Sequence, residues 1–496
     1  MAIGQDTSPA PIGGWNARDQ ISDMVENEAI TLENYFPSTS SVKLRKGYES
    51  YATGLGSNVE SLMEYESGTA SELFAAAGAN IYDVSSSGAV GAAVVSSLTS
   101  AQFQHVMFTA GGGDYLVACN GADSVRNYNG TTWSTPSITG VTSANLIAPM
   151  VFGSRLFFIE KNTASFWYLG TGAVAGGATE FDLGPIVSRG GELMAMGTWT
   201  RDGGAGPDDM AVFVMSTGEV VIYSGTDPAS ASTFAKVGVF NIGAPIGRRC
   251  LLNVGSDLIV ITKDGYKPLS RELPSGRTDE GISDKISGAV REAARLNSST
   301  FGWQPIHYPN GSMALVNVPK GNSQYEQHVI NTTTGAWCLF SGMDARCWST
   351  FSDNLYFGWS GVVYKADTGT SDAGANINGD IRTAFKYHGG QSLKRYTMAR
   401  PVFSADGGLP VSIGLDTDFS DRGATSAISS TAQTGAEWDT ATWDVDYWAP
   451  GITPVAEWQS VSGVGRNGSL HLKTATKNQT VEFHSVDMRF ETGTGI

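Results

Sequence analysis

Short runs of alternating apolar and polar residues, separated by turns bearing Gly, Asn or Ser, recur from residue 59 to residue 366. Side chains of a strand alternate between two faces, so each run predicts a half-buried strand. The runs fall into groups: 59–65, 72–77 and 80–84; 104–109, 115–119 and 124–128; 148–152, 155–159 and 165–169; 192–198, 210–216, 219–224 and 234–240. They continue as 249–254, 257–262 and 265–270; 303–308, 313–318, 327–331 and 336–340; and a short group of 346–350, 354–358 and 362–366. Three or four strands every roughly 40 residues is the spacing of propeller blades. One helical period interrupts them. Ile286, Val290 and Ala293 or Ala294 recur on one face near 283–296, with Ser283 placed to cap and Gly288 weakening the pattern, inside a long insertion spanning 270–301. After Asp367 the small polar stretch 368–380 predicts a linker, and alternating runs at 400–405, 411–415, 470–474 and 481–489 predict a further β-domain.

The expected fold is therefore all-β: a β-propeller of about six or seven blades with one inserted helix and a C-terminal β-sandwich-like domain. The expected division is a docking arm over 1–41, the propeller over 42–367, a linker over 368–380 and the second domain over 381–496. A propeller ring must close, and pairing an early strand with the last group removes an open edge. Val42 and Leu44 alternate with Lys43 and Arg45, so 42–49 is the expected closing strand. The stretch before it, with Pro11, Gly13-Gly14, Trp15 and Pro37, is rich in residues of fixed geometry and reads as an arm for a neighbouring subunit.

Composition supports a turn-rich β chain. Charged residues are 16% of the 496, and 61 are Gly, yet 12 Trp, 17 Tyr and 21 Phe supply a large apolar payload, which excludes disorder. The balance of 32 basic against 48 acidic residues, net −16, argues against a specific nucleic-acid binder, which would carry a basic patch. No apolar run is long enough to span a bilayer and no signal pattern opens the chain, so a soluble protein is expected. Cys119, Cys250, Cys338 and Cys347 form no CxxC and predict free, mostly buried thiols.

Candidate chemistry is sparse. GVGRNG at 463–468 matches GxGxxG but leads into an alternating strand, so a turn is favoured over an anion site, which needs a helix N-terminus. Asp416, Asp418 and Asp421 are spaced loosely like calcium ligands, but the turn Gly and closing Glu are missing, and a solvated loop is expected. His105, His307, His328, His388, His471 and His484 are scattered. EWDTATWDVDYW at 437–448 interleaves carboxylates with Trp438, Trp443 and Trp448; it suits a protein interface, or a sugar site in which paired carboxylates could cleave a glycosidic bond.

Two blocks carry a resemblance. The first holds GGWNARD (13–19), LENYFP (32–37) and KLRKGYE (43–49). The second holds FGWQPIHYPNGSMALVNVP (301–319), QHVINTTTGAWCLFSGMDARCW (327–348) and LYFGWSGVVYKAD (355–367). With them the chain resembles the tail nozzle, or tail tubular protein B, family of short-tailed phages and prophages, over most of the first 400 residues and more loosely beyond Arg400. The resemblance implies a structural, non-enzymatic virion protein in the tail, assembled in the host cytoplasm. Its implied partners are further copies of itself in a homohexameric ring, the head–tail adaptor of the portal complex, and tail fibres or a distal plug. Genomic DNA would pass through without sequence-specific binding. The family brings no catalytic residue, cofactor or metal. Interface or structural roles fall to Trp15, Arg18, Tyr35, Phe36, Trp303, Trp337, Trp438, Trp443 and Trp448. The alternatives are a glycan-binding or glycan-cleaving propeller for host recognition, and a propeller scaffold with no viral role.

Overall fold

Apolar runs such as LFFI within Arg155–Glu160, VVIY within Glu219–Gly225 and LIVIT within Asp257–Thr262 are buried along their whole length, because each lies in a small sheet covered on both faces by its neighbours. The computed structural model describes residues 2–68, 70–202, 207–271, 281–406, 408–424, 426–429 and 453–493. Among these, seven mainly antiparallel sheets follow one another, led by Val59–Glu66, Gln104–Ala110, Leu146–Phe152, Leu193–Asp202, Leu251–Val254, Gln304–Tyr308 and Cys347–Phe351. Each leading strand packs on the next, and Cys347–Phe351 returns against Val59–Glu66. The chain is thus a β-propeller. Aromatic side chains fill the sheets and the gaps between them: Phe166 stacks on Phe181 of its own sheet at 4.9 Å and on Phe213 of the next at 4.6 Å, contacts worth about 0.5–1.5 kcal/mol each beyond their burial.

Polar side chains staple adjacent leading strands at the axis. The Ser61 hydroxyl donates to the carbonyl of Ala101 and accepts from the Phe103 amide, both at 2.7 Å. Gln304 accepts from the Trp348 amide at 3.1 Å and donates to the Trp348 carbonyl at 2.8 Å. Gln104 accepts from the Ala148 amide at 3.2 Å.

The ring closes one strand later than expected. Tyr48–Thr53, not 42–49, pairs antiparallel with Val362–Ala366, with Tyr48 opposite Ala366. Val42–Leu44 leaves the ring and joins Tyr35–Pro37 and Val481–Thr492 in a C-terminal sheet. Val42–Leu44 alternates buried and exposed residues whereas Tyr48–Thr53 does not, so alternation points to the wrong strand.

The arm expected over 1–41 is built into the chain itself. Ala2–Pro9 pairs along its length with Val481–Thr492. Glu28–Glu33 pairs antiparallel with Ile377–Thr383 and meets Trp337–Phe340 in parallel at Glu33 and Leu339. Through that contact the Gln304–Phe340 propeller sheet continues into Gly468–Thr476, Pro410–Thr417 and Ser426–Ser429. This extended sheet faces the one containing Lys394–Ala405 and Val481–Thr492 across a core that includes Leu32, Tyr35, Ile381, Phe403, Leu472 and Phe483. The expected linker ends early, since Ile377–Asp380 already lies in a strand.

The inserted helix runs Ser287–Asn297, after a short 3-10 turn at Asp284–Ile286. Ser283 does not cap it; its hydroxyl accepts the Tyr266 amide at 2.8 Å. Ile286, Val290 and Ala294 are buried against the propeller. Gly288 is required by close approach: a β-carbon there would collide with the Ala17 carbonyl.

Candidate functional site

The opening block, 13–49, and the later block, 301–367, meet in space. Gly14–Trp15 runs parallel to Glu28–Ala29, which places the indole of Trp15 edge-on to buried His328 at 5.6 Å. Asn16 then makes a turn: its side-chain oxygen accepts the amides of Arg18 and Asp19 at 3.0 Å, and its nitrogen donates to Glu28 at 2.6 Å. This turn presents Arg18 and Asp19 to the helical insertion. Arg18 pairs with Asp19 at 2.7 Å and with Asp284; Lys285 pairs with Asp19 at 3.1 Å and Glu28 at 2.7 Å. The bonds from Arg18 and Asn16 hold the Asp19 carboxyl far below the usual carboxylate range. Against the cost of burial, Glu28 and Asp19 raise the Lys285 ammonium.

Tyr35 is fully buried, its hydroxyl 2.9 Å from that of Thr474, and burial pushes its ionisation well up. Phe36 is half-buried against Phe340. The Asn331 side chain donates to the Pro37 carbonyl at 2.8 Å. Asn34, held at a positive φ of 58°, donates to the Asn378 carbonyl at 2.7 Å and accepts Arg45 Nε at 2.8 Å. Arg45 closes the junction with a bidentate bond to Asp372 at 2.8 and 2.7 Å, both side chains buried, and donates to the Ser341 carbonyl at 2.7 Å. Trp303 donates to the Asn297 carbonyl at 2.9 Å and Trp337 to that of Ile282 at 3.0 Å. Both indoles are buried, so their large faces pack the helix to the ring. Of the expected contact residues in the two blocks, Arg18 alone is exposed; the others are internal anchors. Trp438, Trp443 and Trp448 lie outside the described residues, as does the run 437–448. Asp372 was not legible as a partner of Arg45, because nothing local marks a contact 327 residues apart.

The remaining reactive groups are engaged in structure. All four cysteines are free and buried. Burial raises every thiol, Cys250 and Cys347 to about 12, so each is protonated and a poor nucleophile. His328 meets the Tyr266 hydroxyl at 2.8 Å, His388 meets Asp6 at 3.1 Å, and His484 meets Ser404 at 2.8 Å. Asp416, Asp421 and His471 have ligand atoms close enough to share a cation. The Arg382 guanidinium already sits on both carboxylates, at 2.8 Å from Asp416 and 3.2 Å from Asp421, and His471 turns to Asp380 at 2.8 Å. The expected solvated loop holds for exposed Asp418 and Asp421 and fails for Asp416, which is fully buried and paired with an arginine.

Two cavities open on the propeller, one of them at its axis. One, of about 220 Å³, is lined by the leading strand of every sheet or the residues beside it, and contains His105, Arg248 and Arg249. The other, of about 400 Å³, lies between the sixth, seventh and first sheets and gathers Glu64, Glu66, Asp353 and His307. There burial, then the charges of Glu66 and Asp353, push the Glu64 carboxyl up to about 7.

No protein-family model matches the chain, and no curated protein does. Among solved structures it is similar to BBS1N in complex with ARL6DN, at 9% identity and TM-score 0.42, over 65% of this chain and 97% of that one. It is also similar to YCF48 bound to D1 peptide, at 11% identity and TM-score 0.38, over 65% and 95%. The propeller assignment rests on the strand pairing of this chain.

Proposed function

We propose that this protein is a structural subunit of a short phage tail. Several copies, six by the family resemblance, form a ring around the DNA exit channel and join the adaptor to distal tail parts. The observation that supports this reading best is the junction. The two blocks that resemble nozzle proteins, far apart in sequence, interlock through Glu33–Leu339, Asn331–Pro37, Arg45–Ser341 and the Tyr48–Thr53 closing strand. Residues that act as one folded unit are what a shared architecture would retain. The net charge of −16 suits a conduit through which a polyanion must slide. The axial cavity of a single propeller cannot be that conduit, because about 220 Å³ does not admit a duplex whose major groove alone is ~12 Å wide. The channel would therefore run between copies.

Electron microscopy of purified tails carrying a tagged chain tests this. Six copies in an axial ring are expected; a peripheral spike, or a chain that never enters particles, would overturn it.

A further inference from the structure

Arg248 and Arg249 stand side by side at the propeller axis in a chain that has a surplus of acids, yet among the described residues neither guanidinium has a carboxylate within ion-pair distance. Arg249 lines the axial cavity and is half-buried there. Its bonds go to neutral acceptors: the carbonyls of Glu60 at 3.0 Å and Phe103 at 2.8 Å, and the Ser61 hydroxyl at 2.7 Å. The Glu60 carboxylate, whose field reaches it, lies 3.8 Å from Arg346 instead. Arginine does not give up its proton in a protein, and a charge partly withdrawn from water without a counter-charge is unfavourable. Burial accordingly lowers the Arg249 ionisation. The Arg248 guanidinium makes no hydrogen bond within the chain among the described residues, and Arg248 lines both the axial cavity and an adjoining one of about 360 Å³ that includes Ser298 and Thr300. Lys161, tied to the Gly121 carbonyl at 2.5 Å, adds a third cation beside it.

We propose that this end of the propeller axis binds a small oxyanion, phosphate being the representative, held by Arg248 with the charge of Arg249 behind it and the hydroxyls of Ser298 and Thr300 at the rim. A planar guanidinium free of other partners is suited to bidentate contact with such an anion. The axial cavity has room for one oxyanion with a few waters, at ~30 Å³ per water in the liquid. A duplex backbone is too large to enter, so the ligand is a free small molecule. This inference does not depend on the tail reading.

Calorimetric titration of the full chain at fixed ionic strength tests it, with inorganic phosphate in one arm and malonate in the other. Saturable binding of either is expected, the tighter arm telling a phosphoryl from a carboxylate ligand. Arg248→Gln should weaken it at least tenfold and Arg248→Lys less. Arg395→Gln, at a distant exposed arginine, should leave it unchanged. Unfolding midpoints of the Arg248 variants in chloride should match the parent, since no structural hydrogen bond is lost. The inference is overturned if neither anion binds saturably, or if Arg248→Gln binds as the parent does.

Discussion

Arg45 shows how far a single side chain can tie this molecule together. Its guanidinium bridges the opening block, Ser341 of the sixth sheet and Asp372 beyond the ring. Arg45→Ala leaves Asp372 buried and unpaired, so it should cost about 3–5 kcal/mol, read from urea unfolding. Arg45→Met together with Asp372→Leu should recover most of that loss, because the cost lies in the orphaned charge. Alternation through Val42–Leu44 puts Lys43 and Arg45 on one solvent face, and this holds for exposed Lys43 but fails for Arg45, which is buried. Its partner lies too far along the chain for any local pattern to reveal. A second expectation concerns Glu64. Its folded-state ionisation, near 7, lies above the ordinary 4.5, so the folded chain keeps a proton that the unfolded chain releases. Its contribution to stability is therefore full below about pH 4.5 and is lost as the pH rises through about 7. Glu64→Gln should match the parent at low pH and exceed it near pH 8 by about 1 kcal/mol, a figure kept small because the half-buried group is partly screened. Equal urea midpoints for both proteins near pH 8 would refute this.

Strands decide what the N-terminus is for. Removing Ala2–Pro9 strips one neighbour from Val481–Thr492 and uncovers Phe490, which a side chain at Gly4 would strike. Among the described residues, no propeller strand pairs with either of these two strands. Hydrogen exchange on this deletion should show lost protection in Val481–Thr492 and retained protection in Glu219–Gly225. Removing residues through Thr53 also unpairs Val362–Ala366 and leaves the last propeller sheet with an open edge, so loss of the fold and aggregation are expected. Uniform protection loss in both deletions would show that ring and C-terminal sheets unfold as one unit. Most propeller strands were legible because their alternating runs are bounded by turn residues. The closing strand was misplaced because the chain turns at Lys46-Gly47, where Gly47 lies against the backbone of Ser371 and admits no side chain. The linker was overextended because small polar residues mark the turn at 371–375 but not the strand that begins at Ile377.

At the scale of the whole molecule, strand grouping and composition point to a propeller with little exposed chemistry, whereas the axial arginines leave no sequence signal, because two adjacent basic residues in GRRC are no basic stretch. Only folding gathers the lining of the axis from every sheet. The same distinction bears on DNA. If copies of this chain encircle a duplex, what the DNA meets is the summed field of a protein at net −16 per copy, and the axial arginines line the cavity at each propeller's axis. A protein that neutralises phosphates releases counterions, so its affinity falls steeply with salt, with a slope of about −0.9 per contact. A conduit that lets DNA slide should show the opposite behaviour. The assembled protein should retain little duplex in a filter assay near 50 mM salt, with almost no salt dependence. Tight retention that collapses between about 50 and 200 mM would mean that an exposed basic track lines the passage. The acidic balance would then be a property of the outer surface, and the sliding-conduit part of the proposal would fall while the ring itself could still be imaged.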